Sequence, residues 1–107
     1  MKIDIEEIKR KILPILQRYG VKRVGLFGSC VRGEMREDSD IDIIIVSETF
    51  RYKDIFEKVK LTRGIHRELV KKIKKPFDIM YYSDEEWDQN YSLIINAAKK
   101  EGEIIYG

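Results

Sequence analysis

The sequence predicts an α/β fold of the mixed, α+β kind: a small sheet of three to four strands packed with about four helices. Three observations lead there. Residues 21–27, 40–46 and 76–82 are dense in β-branched and aromatic side chains, as strands are. The stretches 5–19, 52–74 and 84–98 carry apolar residues at helical spacing. The 107 residues suffice for one hydrophobic core and contain no repeat, low-complexity tract or linker, so residues 1–107 are expected to form a single domain.

Taken in order, Asp4 with Glu7 three residues on offers an N-cap, and Ile5, Ile8, Ile12, Ile15, Leu16 and Tyr19 form one buried stripe. Pro14 is expected to kink or divide this helix, and Gly20 to stop it. Residues 21–27 read as a buried strand that breaks at Gly28-Ser29. From Cys30 to Glu34 the chain can start a short helix whose first amides carry a partial positive charge. A polar loop, 35–39, leads into the isoleucine-rich run 40–46, close enough to 21–27 for the two strands to be neighbours. A long helix is predicted over 52–74, with Ile55, Phe56, Val59, Ile65, Leu69, Val70 and Ile73 inward and Pro76 as its end. Its other face, from Lys58 to Lys75, is rich in lysine and arginine; such a face is either simply solvated or grips a partner or an RNA. The third strand follows at 76–82. Ser83 and Glu86 then make a capping box for one last helix, carrying Trp87, Tyr91, Ile94, Ile95 and Ala98 inward as far as Gly102. Residues 103–106 add a short final strand or a docked tail.

The chemistry concentrates at the first two strands. Gly28 allows another group to approach the backbone, and Ser29 adds a hydroxyl that either caps the short helix or meets a phosphate there. Alternation along a strand points Asp40 and Asp42 the same way, roughly 7 Å apart. Two such carboxylates repel each other, and a hard divalent cation relieves the repulsion while keeping both ionised. Asp78, a lone acid within an apolar strand, is the candidate third ligand. Arg32 is either a surface ion-pair partner or a phosphate contact. Cys30 reads as a filler of the turn, since no histidine is positioned to activate it, and His66 reads as a surface residue.

Bulk properties narrow the choice. A net charge of +2 with 37% charged residues is a mixed surface, which gives no support to a nucleic-acid partner. The single cysteine rules out an internal disulfide, and no segment reaches the length of a membrane span. Without an apolar signal region the protein is expected in the cytoplasm.

Gly28-Ser29, ten intervening residues, Asp40-Ile41-Asp42 and an acid on a later strand together resemble the DNA polymerase beta type nucleotidyltransferase superfamily. Within it, the short length and the wording Leu26-Phe27-Gly28-Ser29-Cys30-Val31-Arg32-Gly33 resemble the minimal nucleotidyltransferases, antitoxin partners of HEPN-domain ribonuclease toxins. The resemblance covers almost the whole chain. It implies the polymerase beta-like fold, two Mg²⁺ ions on Asp40, Asp42 and Asp78, and ATP held by Gly28, Ser29 and Arg32. It further implies transfer of AMP to a tyrosine hydroxyl on the toxin. Cys30-Val31 departs from relatives that often carry a bulky polar residue and then alanine, but touches no implied ligand. Two other readings stay open: an antitoxin that acts by covering its partner, and a transferase acting on a small hydroxylated compound or an RNA 3′ end.

Overall fold

The computed structural model describes residues 4–33, 39–51 and 54–107. The elements in chain order are α1 (Ile5–Arg18), β1 (Arg23–Phe27), α2 (Ser29–Arg32), β2 (Ile41–Val46), a 3-10 turn (Glu48–Phe50), α3 (Ile55–Ile73), β3 (Phe77–Tyr82), α4 (Asp84–Asp88), α5 (Leu93–Glu101) and β4 (Glu103–Tyr106). The strands form one mixed sheet, as the sequence predicts, and their order is β3-β2-β1-β4. β1 runs antiparallel to both β2 and β4, whereas β2 and β3 are parallel. A parallel pair needs a crossover connection, and the long helix α3 supplies it.

Alternation along the strands sorts the side chains into two cores. Val24, Leu26, Ile41, Ile43, Ile45 and Phe77 join Ile8, Ile12 and Leu16 of α1 and Ile65 and Leu69 of α3 on one side of the sheet. On the other side Ile44 and Val46 meet Trp87 of α4 and Ile95 and Ala98 of α5. Trp87 has two cations over its ring there, the Arg23 guanidinium at 5.6 Å and the Lys99 ammonium at 4.8 Å from the centroid.

Several boundaries differ from the sequence reading. Pro14 sits inside an unbroken α1, because it lies on the exposed side and the carbonyl it leaves without a donor, that of Arg10, belongs to that outer side as well. The long helix is uninterrupted at Gly64, but its inward stripe is shorter than expected. Ile65, Leu69 and Ile73 are buried, whereas Ile55 is 71% and Phe56 83% exposed and Val59 is also out in solvent. The single last helix is in fact two. Asn90 takes a left-handed conformation, with φ of 52°, and Ser92 starts a new helix by accepting from the amide of Ile95, so Tyr91 is exposed. The expected loop at 35–38, the end of the short helix at Glu34 and the start of the long helix at 52–53 lie outside the described residues. Among the described residues no helix is long and apolar enough to cross a membrane.

The start of α4 is fastened to the rest of the fold by charge. The Asp84 side chain, 7% exposed, accepts from Arg51 at both oxygens, through Nε at 2.5 Å and also through Nη2, and pairs with Lys22 at 3.5 Å. Its carboxyl is held below the usual range, by the Arg51 hydrogen bond first, against the opposing effect of burial. A carboxyl depressed in the folded state stabilises the fold above its unfolded value and ceases to do so as pH falls. Asp84→Asn is therefore expected to lower the melting temperature at neutral pH, and the gap to wild type should close on acidification. Thermal melts followed by circular dichroism across a pH series would measure it.

Candidate functional site

The register of three strands sets one row of residues at one end of the sheet. Phe27 of β1 stands opposite Asp42 of β2, and Asp42 opposite Asp78 of β3. Directly paired residues on neighbouring strands lie about 5 Å apart and show their side chains on the same face. That face is the one with Ile44, Val46, Met80 and Tyr82, whose far end is filled by α4 and α5. The near end holds the two carboxylates.

Gly28 explains why Asp42 fits so close to β1. Its φ of 74° is a left-handed conformation open mainly to glycine. A Cβ built on Gly28 would collide with Asp42 Oδ2 and lie 3.1 Å from Cγ. The backbone then turns at once into α2, where the amides of Val31 and Arg32 both donate to the Gly28 carbonyl at 3.2 Å. Gly33, with φ of 73°, ends that turn of helix.

Asp42 is half-buried, while Asp40 and Asp78 are exposed. Its carboxyl is raised above the usual range, chiefly by burial, then by Asp78 and then by Asp40, with Arg32 pulling the other way. The acids expected from the sequence and Arg32 thus share one electrostatic neighbourhood. Ser29 opens α2 beside them and is half-exposed. Among the described residues no three acid, imidazole or thiol groups already stand close enough to hold an ion.

Cys30 has the inert character expected of it. Its thiol is buried, donates to the Phe27 carbonyl at 3.3 Å, and is pushed up by burial and by Asp42, so the thiolate is disfavoured. His66 is exposed on α3.

Comparison with known proteins shows the family. Residues 9–105 match the family described as a nucleotidyltransferase domain. A candidate protein adenylyltransferase of Methanocaldococcus jannaschii is 42% identical over 81 residues, covering 76% of this chain and 81% of that protein. The protein adenylyltransferase MntA of Thermococcus cleftensis is 37% identical over 60 residues, covering 52% of this chain and 61% of MntA. Among solved structures, a tri-AMPylated Shewanella oneidensis HEPN toxin in complex with MNT antitoxin aligns with a TM-score of 0.61. The alignment covers 95% of this chain and 71% of that one, and at 16% identity it speaks for the fold alone.

Gly28→Ala carries both a left-handed backbone and a collision with Asp42. It is expected to destabilise the protein by about 1–3 kcal/mol, seen as a lower urea midpoint with an unchanged m-value. Gly33→Ala, where a Cβ meets nothing within 4 Å, should show only the backbone part of that loss.

Proposed function

Since the chain belongs to the nucleotidyltransferase domain family, we propose that it is a Mg²⁺-dependent protein adenylyltransferase that moves AMP from ATP to a tyrosine hydroxyl of a HEPN-family toxin and so serves as its antitoxin. The observation that carries this reading is the pairing of Asp42 with Asp78 across parallel strands, with Asp42 hard against a glycine that leaves room for it. The names of the M. jannaschii and T. cleftensis relatives support the activity, and the AMPylated toxin bound to the Shewanella neighbour supports the partner. In this reading the 107 residues work as one catalytic domain, in the cytoplasm where ATP is abundant.

The acids suit a divalent cation, because Asp42 carries the strain of a half-buried charge beside two others of the same sign. Two Mg²⁺ ions held by Asp40, Asp42 and Asp78 would neutralise triphosphate charge and make the acceptor hydroxyl more acidic. Asp40 and Asp78, being exposed, can turn their side chains toward a ligand shared with Asp42. Gly28 lets the triphosphate approach the backbone, and the Ser29 hydroxyl donates to a phosphate oxygen. Arg32 lies close enough to Asp42 to sense its charge, and in this reading its guanidinium meets a phosphate oxygen. In the transfer the acceptor oxygen bonds to the α-phosphorus as the bond from that phosphorus to the bridging oxygen breaks. Pyrophosphate leaves with the electron pair, and Asp78 takes the hydroxyl proton.

Asp42→Asn is expected to fold and to lose AMP transfer by more than about 100-fold. Mass spectrometry of the co-expressed toxin measures it: wild type adds AMP in a form that survives denaturation, and the variant does not. A toxin silenced by wild type without any gain in mass would instead establish capping by binding alone.

A further inference from the structure

The edge of the sheet that carries Asp78 is unpaired among the described residues. β3 is the outermost strand next to β2, and its other side has no partner strand. The carbonyls of Pro76 and Tyr82 accept from Ile41 and Ser47 on the β2 side. By alternation, Phe77, Ile79 and Tyr81 direct their amides and carbonyls outward. These same three residues line a cavity of about 280 Å³ against α3, together with Arg63 and His66. A second hollow continues it past His66 and Phe77 to Lys74, at the C-terminal end of α3. The result is a trough between a helix and an open strand edge. Its described lining includes Arg63, His66 and Lys74 and not one carboxylate.

We infer that this trough docks an extended, acidic segment of a partner protein, which adds as a strand to the outer edge of β3. The outward amides and carbonyls of Phe77, Ile79 and Tyr81 are what a peptide backbone recognises, and Arg63 and Lys74 beside them select acidic side chains. An added strand lies about 4.8 Å from β3, so a side chain opposite Asp78 and on its face would come within reach of that carboxylate. The edge would thus choose the partner and deliver its hydroxyl together. Single-stranded RNA fits the cations but not the walls. Phe77 is 8% exposed, and the Tyr81 hydroxyl donates to the Thr62 carbonyl at 3.1 Å while its ring packs edge-on against Phe50, so neither ring offers a face for a base. The delivery step rests on the transferase reading; the docking does not.

The test is fluorescence anisotropy with a labelled peptide of alternating glutamate and tyrosine, without nucleotide. Wild type should bind it, less tightly as salt rises, and should ignore the lysine–tyrosine counterpart. Ile79→Pro removes an outward amide that the sheet does not use, and should weaken binding by about tenfold or more. The double variant Arg63→Glu, His66→Glu alters only exposed side chains and should do the same while ATP affinity stays unchanged. Asp42→Asn should bind the peptide at least as well as wild type. Failure of wild type to bind, indifference to both variants, or preference for oligouridine would overturn the inference. If the peptide behaves as expected but the toxin never gains AMP, the transferase reading falls and the docking edge stands. If AMP transfer proceeds equally in both variants, the edge falls and the transferase stands.

Discussion

The arrangement depends on one pairing, the in-register parallel alignment of β2 with β3. It sets two acidic side chains side by side from strands separated by more than thirty residues of sequence. Nothing in the local preference of either strand favours this. Burial and mutual repulsion raise the carboxyl of Asp42, and the structure tolerates it because the rest of the strand is uniformly apolar. Ile41, Ile43, Ile44 and Ile45 are fully buried and bind β2 into both cores, so the acid is carried by a strand that cannot shift to relieve it. Slipping by one residue would turn Asp42 into the isoleucine core beneath α1 and α3.

Gly28 belongs to the same constraint. β1 pairs with β2 up to Phe27, opposite Asp42, and the next residue must leave the sheet while passing directly over that carboxylate. A left-handed turn without a side chain meets both demands at once. The glycine that ends the strand and the glycine that makes room for the acid are therefore one residue, with a fixed distance in sequence to Asp42.

This coupling is why so much of the site was legible beforehand. Strand composition marked β1, β2 and β3, the Gly28-Ser29 break located the turn, and period-two alternation singled out Asp40 and Asp42, of which β2 carries Asp42 while Asp40 directly precedes it. What was not legible depended on tertiary geometry. Ile55, Phe56 and Val59 have the spacing of a buried stripe, but the first turns of α3 extend where none of the described residues covers them, and periodicity cannot say where a sheet stops. The split between α4 and α5 turned on Asn90 entering a left-handed conformation, which asparagine tolerates without announcing it. Sequence alone expects Pro14 to kink or divide α1, because its position on the outer side of the helix appears only once the core is assembled. Strand order was equally hidden, and with it the fact that the third acid rides on an open edge.

The two sides of the sheet answer to different demands. Gly28, Asp42 and Asp78 sit on the face shared with α4 and α5, whereas Arg63, His66 and Lys74 are carried by α3 and its end, which cover the reverse. Residues on that helix can change without disturbing the carboxylates, since the buried isoleucines of β2 stand between them. If the trough docks a partner as proposed, substitutions along one helical surface can change which partner is taken while the carboxylates across the sheet are inherited unaltered.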